Sequence, residues 1–265
     1  MGSRYEHVFA PLRIRGVDFR NRLELAPPSP NLASRDGKVT TEFVDFFRPF
    51  ARNGVAVLHV GNSVVDVREA HDEERQLDLG TDDCLLPLTT FVEMCAGFGA
   101  QASLEINHNG KDSHSDKTGR RAYSPSSFIP TMEKWRAPLV GREPQATIEM
   151  DYDKIQETVE KYAAAAFRCK RAGFKMAMIH GGHGNLIAQF ASPLYNWRTD
   201  EYGGSLENRA RFALQVLDQV RARCGEDFVI EYRISADEIH PAGMHLEETL
   251  KFIELIQDNV AILHV

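Results

Sequence analysis

The sequence is poor in cysteine, with four in 265 residues, at positions 84, 95, 169 and 224 and never in a C-x-x-C pair. That sparseness excludes a dense disulfide scaffold and supplies no zinc-ribbon or iron–sulfur spacing, so reduced thiols in a cytoplasmic protein are expected. No apolar run approaches the roughly 20 residues that cross a bilayer. The start, Met1 to His7, lacks the apolar core of a signal peptide, so no membrane partner is expected. Positive charge is not in excess either: 31 Lys and Arg stand against 38 Asp and Glu, a net of −7, and form no long basic run. Nucleic acid is therefore not an expected partner, because phosphate binding needs a clustered basic footprint. Neither G-x-G-x-x-G, nor the P-loop pattern, nor a G-x-S-x-G elbow occurs, which argues against those nucleotide sites and against a serine hydrolase.

What remains is an ordinary globular composition, 43% hydrophobic and 26% charged. Short apolar runs at 22–26, 55–60, 101–106, 175–179, 228–233 and 260–265 are spaced by helical patterns. Most are continuously apolar, as strands buried on both faces of a parallel sheet should be. Helices are expected at 151–172, with Ile155, Val159, Tyr162, Ala166 and Phe167 on one face, at 206–224 and from Leu246 to about Asn259, with one across Leu88–Cys95. Another carries Phe43, Phe47 and Phe50 after a Thr41 cap, with Pro49 expected to kink or shorten it. The stretch 111–147, rich in Ser, Pro, Gly and charge, reads as an insertion or lid. The pattern predicts an α/β fold, a (β/α)8 TIM barrel with about six of its eight βα units in this chain. An open doubly wound sheet is the alternative. Ending on the apolar strand 260–265 would leave an open edge, so a continuation past Val265 with two more units is expected.

In a parallel α/β protein the site lies at the carboxyl ends of the strands. There the sequence has Ala26-Pro27-Pro28-Ser29, Gly61-Asn62-Ser63, Glu105-Ile106-Asn107-His108, His180-Gly181-Gly182-His183-Gly184-Asn185 and Arg233-Ile234-Ser235. His180 and His183 flank glycines that let backbone turn sharply or approach a flat ligand. Such a pair binds a carbonyl oxygen, exchanges protons or is merely structural. As metal ligands they would need a third, and His108, Glu105 and Asp237 show no diagnostic spacing, so no metal is assigned. Arg233, at the inner end of a buried strand, serves either a ligand or a structural pair with Glu231, Asp237 or Glu105.

The run 178–212, from Met-Ile-His-Gly-Gly-His-Gly-Asn to Asn-Arg-Ala-Arg-Phe, closely resembles the signature of the old yellow enzyme family. The likeness leans toward its branch of 2,4-dienoyl-CoA reductases, enoate reductases and trimethylamine dehydrogenase. Phe9-Ala10-Pro11-Leu12, Arg20-Asn21-Arg22, Asp36-Gly37 and Tyr232-Arg233-Ile234-Ser235 share it. The resemblance implies FMN at the carboxyl ends of an eight-stranded barrel. Ala26, Pro27, Pro28 and Gly61 would then line the flavin, and Glu105 and Arg233 would meet its pyrimidine edge. His180 and His183 would grip the electron-withdrawing oxygen of an unsaturated small-molecule substrate, an enone, enoate or enoyl thioester, reduced at the expense of NADH or NADPH. An amine dehydrogenase of the trimethylamine dehydrogenase kind, or a flavin-binding barrel without turnover, are the other readings.

Two departures from the family pattern stand out. Glu105 occupies a position usually Gln, and Asn185 the place of the proton-donating tyrosine, where an amide is no general acid. Tyr195 or solvent would have to substitute. The run Arg198 to Arg209 reads as a structural brace. The branch also implies a C-terminal extension with a 4Fe-4S cluster and FAD, and a homo-oligomer is compatible with it.

Overall fold

The computed structural model describes residues 4–265. In chain order a short helix α1 (Glu6–Phe9) precedes strands β1 (Leu12–Ile14), β2 (Val17–Phe19) and β3 (Glu24–Leu25). Helix α2 (Thr41–Arg52), β4 (Val57–Val64), α3 (Val67–Ala70), α4 (Leu85–Gly97) and β5 (Gln101–Asn107) follow. Then come α5 (Ser115–Thr118), β6 (Tyr123–Ser124), α6 (Thr131–Leu139), β7 (Ile148–Glu149), α7 (Tyr152–Arg171) and β8 (Met176–Gly181). Helices α8 (Leu186–Ala191) and α9 (Leu206–Cys224), β9 (Val229–Ile234), α10 (Leu246–Ile256) and β10 (Ile262–His264) complete the order.

Six strands form one parallel sheet in the order β10-β9-β8-β5-β4-β3, curled into a half-barrel with helices outside. All six expected strands are present, the first reduced to Glu24–Leu25. The α/β class and βα repeat are therefore as the apolar pattern predicts.

The helices sit where their stripes require. Helix α7 buries Ile155, Val159, Tyr162, Ala163 and Ala166 against the sheet, and α9 buries Ala210, Ala213, Val216, Leu217 and Val220. Phe167, expected in the α7 stripe, instead lies on the outer side, 37% exposed.

Helix α2 departs from expectation twice. Its cap is Thr40, whose Oγ1 accepts from the Phe43 N–H at 3.1 Å, and the helix runs through Pro49 to Arg52 without being cut short. Phe43 and Phe47 hold it by packing edge-on against Phe91 of α4, at 5.5 and 5.3 Å between centroids. The donor missing at Pro49 falls on the exposed face, where the freed carbonyl is open to solvent rather than buried without a partner.

Two features escape periodicity. Strands β1 and β2 form an antiparallel hairpin turned by Arg15 (φ +46°) and Gly16 (φ +81°), a two-residue loop with both central residues left-handed. Val17 and Phe19 then plug the amino-terminal end of the sheet, packed with Val57, Met176 and Val229 in a second apolar cluster. Arg20 ties this plug down by donating to the Ala51 and Val55 carbonyls at 2.7 and 2.8 Å. The 111–147 segment has fixed structure of its own, with α5, β6 and α6, and β6 pairs in parallel with β7. Thr147 and Ser124 join beneath it by a buried hydroxyl pair at 2.6 Å.

Candidate functional site

The site begins with a break in β4. Its ladder to β5 slips between Val60 and Ser63, because Asn62 adopts φ +54° directly after Gly61. The bulge turns the Asn62 N–H inward, where it donates to Glu105 Oε2 at 3.1 Å. The Gly61 N–H meanwhile donates to the Pro28 carbonyl at 2.8 Å. A Cβ on Gly61 would stand 2.7 Å from the Pro27 carbonyl oxygen, so only glycine lets the segment Ala26–Pro28 lie this close to β4.

Glu105 is the hub. It is 3% exposed, and its Oε1 accepts from Arg233 Nη1 at 2.8 Å. Both oxygens act as acceptors, and the Arg233 structural partner is Glu105 rather than Glu231 or Asp237. That is the only hydrogen bond of the Arg233 guanidinium among the described residues, leaving its other N–H groups free. His180, across the β8–β9 rung from Arg233, brings Nδ1 to 3.3 Å from Glu105 Oε1 without the alignment of a hydrogen bond.

Beyond it, His183 Nδ1 stands 3.2 Å from His180 Nε2, the rings edge to face at 5.0 Å. His183 is exposed and left-handed (φ +56°), followed by Gly184 (φ +68°), and Ser235 Oγ holds the turn by accepting from the His183 N–H at 2.9 Å. Burial pushes the His180 imidazole down to about 4, and burial followed by the Arg233 charge lowers that of His183. At neutral pH both rings are uncharged, so one carries the hydrogen between them and the other accepts it.

The eight residues that the resemblance assigns to flavin and substrate thus form one contiguous set, with Ala26, Pro27, Pro28 and Gly61 on one side and Glu105, His180, His183 and Arg233 on the other. Asn62 joins the two groups. Sequence reasoning placed Asn62 and Asn107 at strand ends without giving them a role, and missed Asp72 and Glu73 beside the Asn62 amide. Asn62 Nδ2 donates to Asp72 Oδ1 at 3.0 Å and Glu73 Oε1 at 3.1 Å, and its oxygen accepts from Asn107 at 2.7 Å. An asparagine straight after a strand-end glycine was the available signal, since Asn tolerates left-handed backbone.

The remaining candidates lie outside this contiguous set. Asp237 faces His245, and His108 is buried with Nε2 3.9 Å from Glu69 Oε1, so neither gathers with the histidine pair. Asn185 caps α8 through its backbone only. Tyr195 stacks on Phe128 at 5.9 Å with Lys111 Nζ 4.9 Å over its ring. Arg198 is a brace, donating to the Pro125 and Met150 carbonyls at 2.8 and 2.7 Å. The four cysteines are free and buried.

The NADH oxidase of Thermoanaerobacter brockii is 33% identical over 99% of this chain, which spans 39% of that protein. Histamine dehydrogenase from Rhizobium sp. 4-9 superposes with a TM-score of 0.86 at 26% identity, covering 98% of this chain and 37% of its own. The old yellow enzyme from Pichia sp. AKU4542, at 24% identity, shares the fold with a TM-score of 0.85 over 97% of this chain and 69% of its own. The chain therefore spans about two fifths of the length of the first two. Its residues 7–263 match the family described as NADH:flavin oxidoreductase / NADH oxidase, and the chain belongs to that family.

Proposed function

We propose that this chain supplies the substrate and flavin-edge residues of an FMN-dependent, NAD(P)H-driven ene-reductase acting on the activated C=C of an enone, enoate or enoyl thioester. The observation that carries the reading is the convergence of His180, His183, Glu105 and Arg233 at the carboxyl ends of three adjacent strands. The residues fit a flavin: Arg233 keeps guanidinium donors free, and Ala26–Pro28 against Gly61 offers a backbone wall. FMN, when bound there, supplies the hydride.

The protein's own part is electrostatic. His180 and His183 are neutral donors at fixed positions, and a substrate oxygen replaces one ring as acceptor of the other's N–H. Negative charge growing on that oxygen is met by preorganised dipoles, which lowers the barrier more than it tightens ground-state binding. Arg233 offers a fixed cation to the flavin pyrimidine edge, its charge balanced by Glu105. Tyr195 supplies the proton that Asn185 cannot. What supports this role is Lys111, whose Nζ lies 4.9 Å over the Tyr195 ring and within 3.8 Å of the space a side chain on Gly184 would fill. Burial, followed by Glu238 and Asp112, raises the Tyr195 phenol, so it keeps its proton at neutral pH.

Anaerobic turnover of 2-cyclohexenone with NADH and NADPH tests this. Replacing His180 and His183 with Ala should lower kcat/KM about 100-fold or more with flavin retained, and Tyr195→Phe should lower kcat alone. Unchanged enone reduction in both histidine variants, flavin still bound, overturns the reading. Asn185, together with the likeness to histamine dehydrogenase, favours a second reading, oxidation of an amine. Anaerobic turnover of amines with an added one-electron acceptor such as ferricenium, without turnover of enones by NADH or NADPH, would establish that instead.

A further inference from the structure

One layer below the Glu105–Arg233 pair, inward side chains from four strands meet. Glu24 comes from β3, His59 from β4, Glu231 from β9 and His264 from β10, so the two edge strands of the sheet contribute one residue each. His59 Nε2 lies 3.3 Å from Glu231 Oε2 and 3.5 Å from Glu24 Oε2, and ligand atoms of the three residues all fall within 4.8 Å of one another. His59 and Glu231 are fully buried, while the Glu24 side chain is 31% exposed.

We propose that Glu24, His59 and Glu231 bind a divalent first-row transition-metal ion of the zinc class, a site separate from the flavin–substrate residues and independent of the reading given for them. Four observations carry this. The first is spacing. Ligands about 2.0–2.2 Å from a tetrahedral zinc stand about 3.3–3.6 Å apart, and the His59–Glu231 and His59–Glu24 edges are 3.3 and 3.5 Å.

The second is orientation. Despite that closeness, His59 Nε2 and Glu231 Oε2 have no hydrogen-bond partner, each other included. A histidinium wedged between two carboxylates would align its N–H with one of them. Atoms that approach without aligning are placed to face a common third atom. The third is charge: a fully buried carboxylate without positive compensation is costly, and a dication between two carboxylates and neutral imidazole cancels it.

The fourth is support. His264 Nδ1 stands 3.1 Å from Glu231 Oε1, so it can hold the carboxylate by its other oxygen and leave Oε2 for the ion. Below, Val57, Met176, Val229 and the hairpin plug form a dry floor. Imidazole in the donor set selects a zinc-like ion over magnesium or calcium, which prefer all-oxygen shells. Bound there, the ion would clamp β3 to β9 across the interior and so fix the curl of the sheet.

Cobalt(II) titration of the chelator-treated full chain is the test, with zinc then quantified by elemental analysis on the same sample. One equivalent of Co2+ should give the visible d–d absorption of a four-coordinate site, and one zinc per chain should displace it. His59→Ala should abolish both signals. Should that variant fail to fold, Glu24→Gln, at the exposed side, should weaken binding with the circular dichroism spectrum unchanged. His264→Ala should weaken it about 10- to 100-fold. Absence of stoichiometric Co2+ or Zn2+ binding at micromolar metal, or its full retention in a folded Glu24→Gln variant, overturns the proposal.

Discussion

Asp72 shows how a single side chain is set against its own charge. Burial, and then the adjacent Glu73 carboxylate, push its carboxyl up to about 6, although it accepts hydrogen bonds from Asn62 and from Gln76 at 3.0 and 2.8 Å. A carboxyl raised on folding contributes stability below its unfolded value, near 4, and loses it as pH rises through about 6. Asp72→Asn keeps the accepting oxygen and removes the charge. It should therefore stabilise the fold by about 1–2 kcal/mol near pH 8, the gain vanishing by about pH 4, as read from urea midpoints at the two pH values. His108 and His180 act with the opposite sign. Burial lowers each to about 4, so they favour the fold at neutral pH and the benefit is lost as pH falls from about 6.5 toward 4. None of these environments is visible from residue order, because each depends on groups that only folding brings together.

Elements with a strong period were legible: the buried runs of β4, β5, β8 and β9, and the stripes of α7 and α9, coincide with what alternation and spacing imply. Where a departure arose, packing or water outweighed a local rule, as with Pro49 on the wet face of α2 or Phe167 on the outer side of α7. The β1–β2 hairpin escaped because three-residue strands are too short to show a period, and the β4 bulge because one left-handed Asn leaves no rhythm in the sequence. That bulge has a measurable consequence. In Gly61→Ala the new methyl meets the Pro27 carbonyl, so β3 and β4 must separate at their carboxyl ends. The variant should lose about 2–3 kcal/mol in urea unfolding and bind flavin more weakly. Thr40→Ala, which removes only a helix cap, should cost about 1 kcal/mol and leave flavin binding unchanged.

Across the whole molecule, the candidate site was readable as a set of residues at strand ends, because parallel topology dictates where such ends gather. Its connections were not: that Glu105, rather than Glu231, takes Arg233, and that Asn62 bridges to Glu105, follow from register and a bulge. The Glu24–His59–Glu231 group was wholly hidden, its members far apart along the chain and meeting only because the sheet curls. The four cysteines, noted first for their scarcity, acquire a different significance once placed. Each lies inside the packed body, and burial pushes the thiols of Cys84 and Cys224 up to about 11 and that of Cys95 to about 12. Native protein should therefore be silent toward iodoacetamide, and every alkylation event should record an opening of the core. Mass spectrometry of timed alkylation then gives a clock with four independent hands: Cys84 at the N-cap of α4, Cys95 within α4, Cys169 in α7 and Cys224 closing α9. Labelling at one rate would mean that the half-barrel opens as a unit, and separate rates would rank which helix lifts from the sheet first.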